Sequence, residues 1–386
     1  MRNIKNNIKF LHYYNFWDNF IPFYPVKILF FAEICGNFAE AMSLFAVQNI
    51  STAFWELPTG CLSDKWGRKW VCRAASFIQL LAFILYAAAE SYQVLLIAAF
   101  INGLSFALSS GNDTALLYNT MVQLKRKDDY HKEISKNISS AQLGLALGAF
   151  AGIGFTYISL RTVMYASIVP TTLAFLLTLM LVEPTYKKEA SNNAVKHIWR
   201  AFLHIYKQKR LRYLALAETV HYGFNEAAFD FNSVFFKQFV PEWTLGIFKG
   251  LGHFANSLAN YLSFPFAKKI GIKATILLGS FSDNLINIIS VLVANVFSPI
   301  IKIITAFCNG LKDPALNTLI QNDCSEEERA TILSVMSFFG TLFYAICAIF
   351  IGKLADITTP YWAMIVAYVL ALSGNSILLI AFKQQH

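Results

Sequence analysis

Four side chains that can carry or accept a proton recur one helical turn apart in a single segment. Glu218, Tyr222, Glu226 and Asp230 are spaced by four residues, with His221 and Asn225 between them. At about 100° per residue such positions form one polar stripe along a helix. Apolar residues surround the stripe, so its carboxyl groups sit where ionisation is costly. A carboxylic acid held away from water can load and release a proton near neutral pH. The chemistry expected is a proton or cation path, with Glu226, nearest the middle of the segment, as first candidate. A hydrogen-bonded stripe that only wets a cavity would show the same pattern.

Further ionisable residues interrupt other apolar runs. Asp18 and Lys27 lie in the first run, beside Asn15, Asn19 and Pro22; Asp113 lies in the fourth, beside Ser109 and Asn112; Lys312 and Asp313 lie in the tenth. Each costs about 2.5–3.5 kcal/mol in a bilayer unless it faces water or a partner, which makes each a functional candidate. Lys27 and Lys312 can serve as counter-charges to the acids or select an anionic solute. Asp283, alone in the ninth run, fits a buried structural carboxylate. No phosphate-binding loop, H-E-x-x-H or close Ser/His/Asp set is present, and the seven histidines are scattered. The six cysteines show no C-x-x-C spacing. An enzyme, a metal and a cofactor are therefore not expected.

The elements that must position these groups follow from composition. Of 386 residues, 56% are hydrophobic and 14% charged, where a soluble domain carries about 25% charged residues. This excludes a solvated globule and a disordered chain. Apolar runs of spanning length occur at 9–31, 40–60, 71–89, 94–121, 134–157 and 162–182, and again at 211–238, 244–267, 272–294, 298–322, 330–352 and 360–382. The fold expected is all-α and integral to the membrane, with twelve transmembrane helices in two pseudo-symmetric six-helix bundles, 1–182 and 211–386. The polar stretch 183–210 forms the linker between them. Within it Val195, Ile198, Trp199, Phe202, Leu203 and Tyr206 recur at helical spacing, which fits an amphipathic helix on the inner leaflet.

Most of the 32 Lys and Arg fall in segments that share one side if both termini are cytoplasmic. That topology accounts for the net charge of +9, so nucleic acid is not an expected partner. No cleavable signal is read at the N-terminus. The halves echo each other: Phe100, Asn102, Gly103 and Leu104 recur as Phe307, Asn309, Gly310 and Leu311, each in the fourth helix of its half. Together with the six-plus-six layout this points to internal duplication.

Between the second and third runs stands Glu56-Leu57-Pro58-Thr59-Gly60-Cys61-Leu62-Ser63-Asp64-Lys65-Trp66-Gly67-Arg68-Lys69. This segment resembles the G-x-x-x-D-[RK]-x-G-[RK]-[RK] loop of the major facilitator superfamily of secondary transporters. Gly60 permits close helix approach, Gly67 a tight turn, and Asp64 can accept hydrogen bonds from a helix N-terminus. The resemblance implies that Gly60, Asp64, Lys65, Gly67, Arg68, Lys69 and Arg329 belong to a conformational latch, with Asp64 near Ala330 and Thr331 at the start of the eleventh helix. The equivalent loop of the second half, Lys268 to Lys273, keeps a glycine and the cations but lacks the acid. Gly352-Lys353-Leu354-Ala355-Asp356 shows a further Gly-x-x-x-Asp.

The resemblance further implies that helices one, four, seven and ten line a central cavity, where Glu226, Asp113, Asp18, Asp230, Glu218, His221, Lys312, Asp313 and Lys27 would bind substrate or protons. Ser110 to Asn119 and Glu328 to Thr331 are similar to segments of bacterial drug-efflux-type members. Gly144, Gly148 and Gly152 make a strip for close packing and resemble the glycine-rich fifth helix of superfamily antiporters, without the proline usual there. The expected activity is proton-coupled export of small amphipathic or cationic compounds by alternating access, from a monomer in the bacterial inner (plasma) membrane. Its partners would be a small-molecule substrate, protons and the lipid bilayer. Proton-coupled import of a nutrient or siderophore-like solute, and a non-transporting sensor on the same fold, remain alternatives.

Overall fold

Long apolar runs broken only by short polar turns have one satisfactory state in lipid, because a helix pairs every backbone group within its own segment. The computed structural model describes residues 4–185, 194–322 and 329–384. All twelve runs are helical there. Ten are single helices: α3 (Phe38–Trp66), α4 (Arg68–Ala88), α7 (Tyr130–Ile158), α8 (Leu160–Leu179), α10 (Lys209–Phe236), α11 (Leu245–Ile270), α12 (Ile272–Val293), α13 (Ser298–Asn322), α14 (Arg329–Ile357) and α15 (Pro360–Lys383). Among the described residues, seven spans are long and apolar enough to cross a membrane on length and composition alone. The fold is that of a twelve-helix, multi-pass membrane protein.

Two runs read as single helices are each two. The first is α1 (Asn6–Asn19) and α2 (Lys27–Cys35), joined by a 3₁₀ turn at Tyr24–Val26. Pro22 and Pro25 remove two backbone donors at the join. The unwound Phe23 N–H finds the Ser167 hydroxyl at 3.1 Å. The fourth run is α5 (Tyr92–Ser109) and α6 (Asn112–Gln123), broken at Gly111, which takes φ +70°.

Two compact units result: Met1–Gly36, Val47–Glu189 and Glu242–Gly250 form the first, and Asn37–Ala46, Ala190–Pro241 and Leu251–His386 the second. In the first, α1 packs on α6, α7 and α8, and α4 on α5 and α8. In the second, α10 packs on α13, α14 and α15, and α12 on α13 and α15. The two pairing schemes correspond helix for helix, which is the internal duplication in three dimensions. The short sequence echo has a packing cause. A Cβ on Gly103 would strike the Gln48 carbonyl oxygen and the Ser51 side chain, and one on Gly310 the Asn256 carbonyl oxygen and Ala259. Each glycine lets the fourth helix of a half touch the backbone of the second.

The linker helix α9 (Ala194–Lys207) packs against α14 and α10, with Phe202 beside Phe339 and Ile205 in the core of the second unit. Residues 186–193 lie outside the described residues, as do the side chains of Val195 and Ile198.

Candidate functional site

In the first unit Asp113 is the second residue of α6, two positions after the break at Gly111. Its Oδ2 accepts from Asn15 Nδ2 at 3.1 Å and from Asn137 Nδ2 at 3.3 Å. The break places this carboxylate in the first turn of α6, facing α1 and α7. Asp18 lies one turn beyond Asp113's partner Asn15, and its Oδ1 is buried with no hydrogen-bond partner among the described residues. Lys27 stands apart, on α2. It is 7% exposed, donates to Gln48 Oε1 at 2.7 Å, and lies 5.6 Å from the Phe31 ring centroid and 5.9 Å from that of Tyr86. Cation–π attraction makes such an aromatic cage a good host for an ammonium group. Asn137 was missed in the sequence. So was the buried Glu133, which pairs with Lys136 at 3.1 Å and His12 at 3.6 Å. Only the i,i+3 spacing of Glu133 and Lys136 could have signalled it.

Glycines set how closely α7 meets the unwound first run. A Cβ on Gly144 would strike the Phe16 carbonyl oxygen, one on Gly148 would lie 2.6 Å from the Ile21 nitrogen, and one on Gly152 would strike the Pro22 carbonyl oxygen. Gly154, by contrast, faces open space.

In the second unit the expected stripe on α10 divides. Residues four apart advance about 40° around a helix, so three such steps slew the line through about 120°. Its first turn faces α12 and α13. His221 is 7% exposed, with Nε2 3.5 Å from Asp283 Oδ2 and Nδ1 3.3 Å from Lys312 Nζ. Lys312, 3% exposed, lies 3.3 Å from Asp313 and 3.7 Å from Glu218. The later turns face α14, where the Tyr344 hydroxyl donates to Asp230 Oδ2 and the Tyr222 and Tyr344 rings lie 6.2 Å apart. Glu226 is exposed on this second side.

Asp283 is fully buried yet joins the first group. Its Oδ1 accepts from Asn287 at 3.1 Å and Asn309 at 3.2 Å. Lys302, also unremarked in the sequence, donates to Asn287 and, at 2.8 Å, to the Tyr368 hydroxyl, which reaches Asn232 at 3.2 Å. An ammonium only donates, so Nδ1 of His221 accepts from Lys312 and the ring proton sits on Nε2, facing Asp283. Asp283, His221, Lys312, Asp313 and Glu218 thus form one row of titratable groups with facing polar atoms 3.3–3.7 Å apart, in which the His221 Nε2–Asp283 Oδ2 approach is a close contact and not a hydrogen bond. It runs from a fully buried carboxylate to Asp313, whose side chain is 51% exposed.

At the signature loop, Gly67 caps α4 with φ +96°. Both oxygens of Glu183 accept from the first α4 amides, Arg68 and Lys69, at 2.9 Å each. A negative charge on two unpaired helix-end donors is stabilising. Glu183→Gln is expected to cost about 1 kcal/mol, seen as a lower melting temperature and faster amide exchange at Arg68 and Lys69. The side chains of Asp64, Lys65 and Arg329, and the surroundings of Gly60, Ala330 and Thr331, lie outside the described residues.

Pseudo-symmetric bundles of broken and glycine-packed helices, with ionisable chains buried inside, define a secondary-transporter architecture. Residues 10–343 match the family model described as Major Facilitator Superfamily. The chain belongs to that superfamily. It is 23% identical over 335 residues to the uncharacterized MFS-type transporter YxaM of Bacillus subtilis (strain 168), covering 83% of this chain and 82% of that one. Among solved structures it resembles a single-residue variant of the nucleoside transporter NupG, with TM-score 0.84 and 14% identity over 99% of this chain and 100% of the other. It also resembles a D-xylose–proton symporter, with TM-score 0.79 and 12% identity over 98% and 97%.

Proposed function

We propose that this protein is a proton-coupled secondary transporter that exports small amphipathic or cationic compounds by alternating access. The observation that carries the coupling is the chain Asp283–His221–Lys312, buried within the second unit and ending at the more accessible Glu218 and Asp313. A transmembrane protein has little reason to bury such groups for stability alone, since apolar residues of similar volume pack as well or better. Cationic solutes are favoured because six of the nine candidate cavity residues are carboxylates and only two are lysines. Lys27 and Lys312 are also engaged internally, Lys27 by Gln48 and aromatic rings and Lys312 by carboxylates. Asp113, Asp18, Glu226 and Asp230 are the groups assigned to the substrate side. Six helices on either side of the 183–210 linker are the moving halves, and both termini are assigned to the cytoplasm of a bacterial inner membrane.

Proteoliposomes loaded with ethidium test this reading. An imposed inward proton gradient is expected to drive ethidium outward, and Asp283→Asn to abolish that drive while leaving ethidium exchange without a gradient. If Glu226→Gln uncouples and Asp283→Asn does not, the proton is carried on α10 near Tyr222. A gradient that drives solute in the same direction as protons would establish import and refute export. Absence of any gradient-driven or exchange flux across a panel of cationic amphiphiles would refute the export reading.

A further inference from the structure

The Gly-x-x-x-Asp at the end of α14 is not taken up by the proton chain or by the signature loop. The structure gives it a partner: Asp356 Oδ1 accepts from the Phe38 amide and Oδ2 from the Ala39 amide, each at 2.8 Å. These are the first two residues of α3, whose free amides need acceptors. One turn earlier, Gly352 lets the two backbones touch. A Cβ there would strike the Phe38 carbonyl oxygen and lie 2.9 Å from Ala39 Cα. Asn37 completes the cap by accepting from the Glu40 amide at 2.8 Å. Phe38 packs edge-on to Phe231, with centroids 5.4 Å apart. All these residues belong to the second unit, whereas α3 from Val47 onward belongs to the first.

The other end of α3 carries the same motif, Gly60-x-x-x-Asp64. Both α3 and α14 are 29 residues long, and in each the motif stands in the last third. At 1.5 Å per residue the two ends of α3 are about 40 Å apart, too far for one event to be a local consequence of the other.

We propose that Asp356 is the second of two carboxylate latches on these helices, gripping the first turn of α3 at the end opposite Asp64, and that the two grips alternate during transport. The proposal rests on the transporter reading. Its test needs no substrate, so its failure is distinct from failure of the ethidium experiment. The probe is backbone amide exchange, followed by mass spectrometry on the full chain in lipid nanodiscs. In Asp356→Asn the Phe38 and Ala39 amides are expected to exchange about ten- to hundred-fold faster, as for loss of a charge-assisted hydrogen bond. The first amides of α14, where Asp64 is expected to act, should exchange several-fold more slowly. Ala39→Pro removes one donor at a helix position that tolerates proline, and should produce the same slowing at α14 should Asp356→Asn fail to fold. Asp356→Glu should restore much of the wild-type pattern. Faster exchange at Phe38 and Ala39 with an unchanged α14 start would overturn the proposal and leave Asp356 a static cap. Unchanged exchange at both ends would show that the grip itself is absent.

Discussion

Lys312→Met is expected to lower stability by about 3–5 kcal/mol, the cost of leaving buried carboxylates without their cation. Lys312 is 3% exposed, faces Asp313 and Glu218 through its ammonium group, and donates to a histidine whose other nitrogen faces Asp283. Methionine keeps the length and apolar stem, so the loss would be electrostatic and not a cavity. The double variant Lys312→Met/Asp283→Asn should be less destabilised than the sum of its parts, by about 1–3 kcal/mol. Melting temperatures in detergent for the two single variants and the double variant measure this coupling. Strict additivity would mean that His221 does not link the two charges. The same experiment separates the chain from Asp230, whose partner is Tyr344 on another helix. Asp230→Asn should add independently to Lys312→Met.

Gly148→Leu is expected to abolish the folded first unit. The new side chain would have to enter where even a Cβ would stand 2.6 Å from the Ile21 nitrogen and 3.0 Å from the Phe20 carbonyl carbon. Those are backbone atoms of a segment already unwound between α1 and α2, so no rotamer change relieves the contact. Overpacking against movable side chains costs about 1–3 kcal/mol, and a rigid backbone raises that figure. Gly148→Ala should give a graded loss. Gly154→Ala, on the same helix with nothing within 4 Å, should be neutral or stabilising by up to about 1 kcal/mol, because alanine favours the helix. Expression, monodispersity and melting temperature across the three variants test whether contact or propensity decides.

Much of the architecture is written in one dimension. Twelve spans and the echo between the fourth helices of the two halves are legible because lipid permits few backbone conformations and because the hydrophobic period survives in every segment. The ionisable candidates were legible for the complementary reason: a charge inside an apolar run is conspicuous whatever it touches. Sequence spacing could not say which of them meet. The α10 stripe looked continuous because i+4 neighbours share a face over one turn, yet over three turns the line slews. His221 then goes to Asp283 and Lys312, and Asp230 to Tyr344.

Asp283 looked solitary on helix nine, since apart from Asn287 one turn away its partners, His221 and Asn309, come from α10 and α13, and distance along the chain carries no trace of them. The breaks at Pro22 and Gly111 were present as residues, but whether a proline kinks, unwinds or ends a helix depends on what receives the freed backbone groups. Here Ser167 does so from α8. Asp356 shows the same division. Its motif could be read in the sequence, but its partner, the start of a helix more than 300 residues away, exists only in the folded chain. Composition and periodicity thus determined a twelve-helix membrane protein with ionisable candidates in the first, fourth, seventh, ninth and tenth runs, because burial in lipid acts on each segment separately. Which charges pair, which helices break and which helix end is capped were decided by tertiary structure, because those energies belong to contacts between segments.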